Sequence, residues 1–221
     1  MTLDPRRFTD SRFAQLLGER GAIDLATKAV PFFRRDRGPE ELARLFAVFR
    51  VGEHHAVITI GDWLKHTEAL EVKEGFARLI WDEARHTIIW TRRMRELVGT
   101  RVLEQHYPDP RRVEGGASPE YFRLWDEYAK ADSLARRLAY IYVVDAWAGF
   151  AYTACLECID PVTRWHLQTI LADEGFHVSF GEEMAAKYVT GGKGREELAR
   201  EEEKIVGILA NVTDGFLTSE V

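Results

Sequence analysis

Two short stretches of this 221-residue chain repeat the same arrangement of acids and a histidine. The first reads D-E-A-R-H over residues 82–86, and the second reads D-E-G-F-H over residues 173–177. A glutamate and a histidine three positions apart lie on the same side of a helix, so each stretch presents a carboxylate and an imidazole together. One E-x-x-H arises often by chance, whereas two copies within apolar stripes do not. Oxygen and imidazole ligands without a thiolate suit iron or manganese.

Two further acids lie in apolar stripes of other predicted helices, and their spacing completes the pattern. In the first predicted helical hairpin, Glu53 precedes the expected turn at Thr67, and Glu83 follows that turn at nearly the same distance along the chain. The second hairpin repeats this spacing, with Asp145 before its expected turn at Asp160 and Glu174 after it. Because a helix rises about 1.5 Å per residue, each hairpin returns its two carboxylates to nearly the same height.

Packing the two hairpins together would bring four carboxylates and two imidazoles to one level of a helical core. Four buried, ionised carboxylates without partners would cost several kcal/mol each. Two divalent cations would neutralise them. The alternative is a set of solvent-facing residues that are merely aligned, but the apolar stripes around all six weigh against it. The predicted metal ligands are Glu53, Glu83, His86, Asp145, Glu174 and His177.

Helices must position these residues, because helical periodicity dominates the chain and strand-like alternation is scarce. An all-α fold is therefore predicted. Thr67 is expected to cap the second long helix, Gly99 to end it, and Asp160-Pro161 to start the fourth. The four long helices are predicted at about 40–65, 67–98, 133–157 and 160–188. Residues 1–38 are predicted to form short helices or irregular structure, closed by Pro31 and residues 34–38, and residues 99–117 to form a connection. A further helix is expected to start at Ser118-Pro119, and a charged segment, 195–204, to lead into a short C-terminal helix.

Composition places the chain among soluble globular proteins. Hydrophobic residues make up 46% and charged residues 30%, and one domain over residues 1–221 is expected, with the metal-binding bundle at about 40–190. The net charge of -6 and the pI of about 5.7 argue against nucleic-acid binding. No run approaches the roughly 18 apolar residues of a membrane span, and the N-terminus has no secretory h-region, so a cytoplasmic location is predicted.

The remaining cysteines and histidines give weaker signals. Cys155 and Cys158 form a C-x-x-C but have neither two further zinc ligands nearby nor a βαβ context, so they are interpreted as ordinary residues near a helix end, with a redox pair as the alternative. The other histidines are interpreted as packing, surface, turn or capping residues: His54, His55, His66, His106 and His166.

The order acid, E-x-x-H, acid, E-x-x-H on four helices resembles the ferritin-like di-iron carboxylate superfamily, over roughly residues 40–190. The resemblance implies a ferritin-like four-helix bundle with additional N-terminal, crossover and C-terminal helices. It further implies that Glu83 and Glu174 bridge two metals, that Glu53 and Asp145 are terminal ligands, and that one histidine completes each metal, His86 and His177 respectively.

The resemblance extends to the acids before each motif and has one departure. Asp173 is expected to hydrogen-bond His86, and Asp82 to hydrogen-bond His177, which would fix the tautomers of metal-bound histidines. The third-helix ligand of the superfamily is usually glutamate, whereas here it is the shorter Asp145. The nearest glutamate, Glu157, precedes Glu174 too closely along the chain and would sit at the wrong height.

Among the activities of the superfamily, the resemblance favours an O₂-dependent oxygenase or oxidase. Trp90 stands where radical-generating subunits carry tyrosine, and a third E-x-x-H or a rubredoxin-like cysteine set is missing. Two iron ions (Mn/Fe or Mn as alternatives) would reduce O₂ to a bridging peroxide that hydroxylates, N-oxygenates or desaturates a small organic substrate. An external electron donor and a homodimer are expected partners, without nucleic acid or membrane. The alternatives are an iron-storage protein and a metal-free helical scaffold.

Small and aromatic residues near the predicted ligands indicate a substrate pocket. Small residues on the third helix would leave space beside the metals, and aromatic residues would form walls that exclude water. Simple packing of small against large residues is the alternative. The predicted lining is Phe49, Phe76, Trp90, Ala148, Gly149 and Tyr152.

Overall fold

A computed structural model describes residues 11–109, 119–156 and 159–218. These residues form helices joined by short connections, with no strand among them, so the predicted all-α class is confirmed and is consistent with a helical bundle. The helices are α1 (Arg12–Leu17), α2 (Glu19–Arg34), α3 (Pro39–Lys65), α4 (Leu70–His106), α5 (Pro119–Tyr128), α6 (Leu134–Leu156), α7 (Pro161–Tyr188) and α8 (Gly192–Thr218).

The described chain divides into two compact units. One, the α3–α4 unit, contains residues 36–109 and 119–129, and the other, the α6–α7 unit, contains residues 11–35, 130–156 and 159–218. Each unit has one long helical hairpin at its centre, α3 with α4 and α6 with α7. The four predicted long helices are thus present, two in each unit. The single domain remains a prediction.

Local signals in the sequence explain where the first hairpin begins and turns. Pro39 occupies the first turn of α3, and the Glu41 carboxylate accepts a hydrogen bond from the Gly38 N–H at 3.0 Å. The predicted cap at Thr67 is wrong. Thr67 is buried and its hydroxyl donates to the Trp63 carbonyl at 2.8 Å, so it closes the end of α3, while α4 begins after Ala69 without a side-chain cap.

Gly99 breaks α4 as the sequence predicts, but the helix resumes beyond it. Its φ of 81° and ψ of 160° lie outside the helical region, in backbone that glycine adopts without strain. The expected irregular connection over 99–117 is therefore wrong for residues 100–106, which are helical. Of the predicted start at Ser118-Pro119, Pro119 opens α5, and Ser118 lies outside the described residues.

The second hairpin begins and ends close to the predicted positions. The Asp160 carboxylate accepts hydrogen bonds from the backbone N–H groups of Val162 and Thr163, each at 3.0 Å, and Pro161 occupies the first turn of α7. The Ser133 hydroxyl accepts from the Arg136 N–H at 3.2 Å just before α6. Glu157, the alternative ligand, lies outside the described residues, as does Cys158, while Cys155 is buried in α6.

Three further helices surround α6 within its unit. Phe13 of α1 packs on Phe150 of α6 with ring centroids 5.6 Å apart, and Trp147 of α6 donates its indole N–H to Thr213 of α8 at 2.7 Å. Two expectations for these regions are corrected. Pro31 lies inside α2 rather than closing the segment, and the C-terminal helix is not short but runs for 27 residues from Gly192.

Among the described helices, α6 is long and apolar enough to span a membrane by length and composition alone. Of its most apolar 18 residues, 67% are buried within the protein. Burial of this extent is common for the core helix of a soluble protein. The helix also carries Asp145.

Candidate metal centre

Three of the predicted ligands form one cluster within the α3–α4 unit. This first cluster consists of Glu53 from α3 with Glu83 and His86 from α4, and the ligand atoms of all three lie within 4.8 Å of one another. The Nδ1 atom of His86 is 3.6 Å from a carboxylate oxygen of Glu53 and 3.6 Å from one of Glu83. All three side chains are buried. Their predicted convergence at one height of the hairpin is observed.

The α6–α7 unit contains a second cluster of the same kind. It consists of Asp145 from α6 with Glu174 and His177 from α7, again with ligand atoms within 4.8 Å of one another. The Nδ1 atom of His177 is 3.5 Å from an oxygen of Asp145 and 3.5 Å from one of Glu174. The histidine is inaccessible to solvent, and the aspartate side chain is 13% exposed. The shorter third-helix acid therefore reaches its histidine as closely as Glu53 reaches its own.

The distances in both clusters fit a shared metal ion better than direct hydrogen bonds. A hydrogen bond from a ring N–H to an oxygen is about 2.7–3.2 Å long, shorter than the 3.5–3.6 Å found in both clusters. Zinc sites hold oxygen and nitrogen ligands at about 2.0–2.2 Å, so two ligands that share one tetrahedral ion lie roughly 3.3–3.6 Å apart, and ligands of other small divalent cations are spaced comparably. The residues present therefore fit a metal by number, chemistry and spacing.

Burial makes it unfavourable for the carboxylates of the first cluster to be ionised without a cation beside them. Desolvation, followed by the neighbouring Glu83 carboxylate, raises the pKa of Glu53 from 4.5 to about 7, while His86 acts in the opposite direction. Two carboxylates in a buried site resist being ionised together. A divalent cation at the cluster removes this penalty, because it stabilises both ionised carboxylates.

Trp90 has a role at the first cluster that the sequence reading missed. Its indole N–H donates to the second oxygen of Glu53 at 3.2 Å, and its side chain is inaccessible to solvent. Rings of Phe46 and Phe49 pack against Trp90 with centroids 5.1 and 5.2 Å away. The bond leaves one oxygen of Glu53 to face His86. Trp90 lies one helical turn after His86, and that spacing was the available signal.

In the second cluster, the position one turn after the histidine is a glycine at a close helix crossing. A Cβ added to Gly181 would lie 2.9 Å from the Cβ of Tyr142 and 3.3 Å from its backbone nitrogen. Real Cβ atoms essentially never approach so closely, so α6 and α7 pack here only because residue 181 has no side chain. Tyr142 lies one turn before Asp145. The close crossing therefore brings the shorter acid towards His177.

The acids preceding the two motifs differ in their surroundings. Asp82 is buried at 2% exposure, with guanidinium nitrogens of Arg78 at 3.6 Å and Arg85 at 3.4 Å. Asp173 is half-buried. The predicted pairings of Asp173 with His86 and of Asp82 with His177 stay predictions.

The six residues predicted to line a pocket occupy several environments. Phe49 and Trp90 are in contact beside Glu53, whereas Phe76 packs against Trp63 with centroids 6.1 Å apart. On α6, Ala148 and Gly149 are half-buried and Tyr152 is buried. A Cβ added at Gly149 would lie 3.9 Å from Leu171, an ordinary van der Waals distance. A substrate pocket formed by this set stays a prediction.

Four histidines outside the two clusters lie on or at the ends of helices. The ring of His55 stacks on Trp125 of α5 with centroids 4.2 Å apart. His66 is exposed at the end of α3, and His106 is exposed at the end of α4. His166 contacts Trp165 edge-on near the start of α7.

The chain matches no known protein family, no curated protein and no solved structure.

Proposed function

We propose that this protein is a ferritin-like di-iron oxygenase or oxidase that acts on a small organic substrate in the cytoplasm. The observation that carries the proposal is the duplicated cluster: two carboxylates and one histidine, with Nδ1 at 3.5–3.6 Å from both acids, occur once in each unit. Chance placement accounts poorly for two buried clusters of the same type. The nearly equal spacing of the ligands from their turns supports the same metal-binding role for both sets of three residues.

The ligand chemistry supports iron, with manganese or a mixed Mn/Fe pair as the alternative metals. Each cluster offers oxygen and imidazole ligands and no thiolate, a set that suits both metals. In the proposed centre, Glu83 and Glu174 would be shared by the two ions, and Glu53 and Asp145 would each hold one ion, as the resemblance implies. His86 and His177 would each hold one ion through Nδ1, the ring atom that faces the acids in both clusters.

The bound metals would supply activation of O₂, and the protein would supply binding, orientation and exclusion of water. In a hydroxylation, one oxygen atom enters the substrate and the other leaves as water, with two electrons and two protons consumed. An external donor provides those electrons. Trp90 orients Glu53, and its contacts with Phe46 and Phe49 keep water from that side of the cluster. Such shielding protects reactive oxygen species from side reactions.

The proposal is tested by counting metal after anaerobic loading with ferrous iron, then recording optical spectra and O₂ uptake with a chemical reductant. We expect about two irons per chain in the wild type, as in di-iron bundles, and loss of both metal and O₂ uptake in Glu83→Ala. Glu74→Ala removes an exposed glutamate from the same helix and should retain both. Full iron content in Glu83→Ala would refute the assignment, and dozens of irons per chain would indicate storage instead.

A further inference from the structure

The outer face of α4 carries a continuous stripe of basic and large apolar side chains. Its members alternate at spacings of three and four residues, which places them within an arc of about 100° on a helix. All are exposed except Arg85, which is half-buried, with Trp81 at 64% and Ile88 at 49% exposure. We call this the arginine–tryptophan stripe: Arg78, Trp81, Arg85, Ile88, Arg92 and Arg95.

The charge of the stripe opposes the net charge of the protein. Between Arg78 and Arg95 the only carboxylates are those of Asp82 and Glu83, and both are 2% exposed. The stripe therefore presents positive charge to solvent on a chain whose net charge is -6, with exposed Glu74 and Glu96 at its two ends. A local field of this sign attracts acidic partners and orients them during encounter.

The side-chain types indicate a protein partner. Tryptophan and arginine are the residues that most often dominate binding energy at protein interfaces. The Arg85 guanidinium lies 5.1 Å from the Trp81 ring centroid, and buried Asp82 holds Arg78 and Arg85, so this part of the stripe is ordered before any partner arrives. Preordering lowers the entropy lost on association.

We propose that the arginine–tryptophan stripe docks an acidic protein that delivers electrons to the metal centre, an inference that rests on the proposed function. The opposite face of the same helix carries Glu83 and His86, so the stripe and these ligands are separated by about one helix diameter, roughly 10 Å. The proposed reaction consumes two electrons per O₂. A one-electron donor is oxidised by one electron at each visit, so two docking events supply one turnover.

Nucleic acid is the competing occupant of a basic and aromatic surface, but the stripe fits it less well. Ile88, an aliphatic side chain, stands at the middle of the stripe, where single-stranded nucleic acid would require an aromatic stacking platform. The two occupants are separated by the experiment below.

The test measures binding of an acidic plant-type 2Fe–2S ferredoxin to the iron-loaded full chain by calorimetry, at low and moderate salt. Arg92→Glu with Arg95→Glu should weaken binding about tenfold or more, because two attractive charges become repulsive at the interface. The matched control is Arg195→Glu with Arg200→Glu, two exposed arginines of α8, which changes the net charge by the same amount. It should weaken binding less than about threefold, because only the long-range attraction falls.

A second pair of variants tests the aromatic contact. Trp81→Ala should weaken ferredoxin binding about tenfold, as expected for a tryptophan at the centre of an interface. Trp165→Ala is its control, because Trp165 on α7 is equally exposed at 64%. Each variant is first shown by circular dichroism and thermal unfolding to fold as the wild type does.

The outcomes separate this proposal from the function on which it rests. Selective weakening by the stripe variants supports docking, and equal affinity of stripe and control variants for ferredoxin overturns it. Binding of a short single-stranded RNA at the stripe without ferredoxin binding also overturns it, as does the failure of ferredoxin to bind at all. Iron loading and O₂ uptake with a chemical reductant are measured in parallel. If both occur but ferredoxin does not bind, the docking proposal is refuted and the oxygenase proposal is retained. If neither occurs, the oxygenase proposal itself is refuted.

Discussion

The two ligand clusters have the same geometry but reach it with different side chains. In the α3–α4 unit, the His86 Nδ1 is 3.6 Å from Glu53, and in the α6–α7 unit the His177 Nδ1 is 3.5 Å from Asp145. Glutamate is longer than aspartate by one methylene. Since the distances agree, we infer that closer packing of α6 and α7 at Gly181 makes up for the missing methylene.

The compensation lies one turn after each histidine. Trp90 occupies this position in the first unit, fills the space between α3 and α4, and donates a hydrogen bond to the longer Glu53. Gly181 occupies it in the second unit and lets α7 approach the backbone of Tyr142 on α6. A large side chain is thus matched with a long acid, and a missing side chain with a short one. In each unit, the length of the acid side chain is thus matched to the size of the residue one helical turn after the histidine.

The largest effect that we expect is a pH dependence of stability that comes from Glu53 in the first cluster. The pKa of Glu53 is raised to about 7 in the folded protein from its usual 4.5. Between these values the folded protein binds more protons than the unfolded chain, so the free energy of unfolding falls as pH rises, by about 3 kcal/mol in total. Urea unfolding of metal-free protein between pH 5 and 8 measures this slope.

Glu53→Gln should flatten that dependence, because its amide does not titrate. Glu74→Gln, which changes an exposed glutamate on α4, should leave the slope as in the wild type. An unchanged slope in Glu53→Gln would show that another group titrates.

The close crossing in the second unit predicts a smaller but localised loss of stability. In Gly181→Ala the new Cβ would meet the Tyr142 backbone and force α6 and α7 apart. We expect a loss of about 2 kcal/mol, typical of overpacking, together with weaker iron binding. Gly175→Ala on the same helix has nothing within 4 Å of the added Cβ and should be neutral or stabilising. Equal stability of the two variants in thermal unfolding would refute the close-packing account.

Lengthening the short acid tests whether Asp145 and Gly181 act as a pair. Asp145→Glu adds the methylene that the first cluster contains, and at the close crossing it should overshoot and lower iron affinity about tenfold, equivalent to roughly 1.4 kcal/mol. Combining it with Gly181→Ala should cost less than the sum of the two changes. Strict additivity in this double-mutant cycle would argue that the two positions are independent.

Removing the indole donor tests the corresponding pair in the first unit and should have the smallest effect. Trp90→Phe loses the hydrogen bond to Glu53, which is expected to lower stability by about 1 kcal/mol and to weaken iron binding severalfold. Trp63→Phe is the control, because Trp63 is equally buried and donates to the Tyr128 carbonyl at 3.0 Å, away from the ligands. It should lower stability similarly with no change in iron binding, as measured by ferrous titration.

Much of the local structure could be predicted from the sequence. The all-α class, four long helices, the break at Gly99 and the cap at Asp160 follow from periodicity and from residues with strong local preferences. The cap at Thr67 failed because its hydroxyl had two possible partners, and the end of α3 is the one it bonds. The length of α8 was underestimated because residues 195–204 were interpreted as a charged segment that precedes the helix, whereas they are helical and Glu201 among them is buried.

The sequence by itself determined which residues gather in each cluster. Two residues three positions apart lie on the same face of a helix, and two residues at nearly equal distances from a turn lie at nearly the same height of a hairpin. The members of both clusters were therefore predictable. Only the tertiary structure decided how Asp145 comes as close to its histidine as Glu53 does, and which atom of each histidine faces the acids. Those features depend on how closely the two helices of each hairpin pack. In the first unit Trp90 packs against Phe46 and Phe49 of α3, and in the second Gly181 lies against Tyr142 of α6, and no spacing along the chain determines either contact.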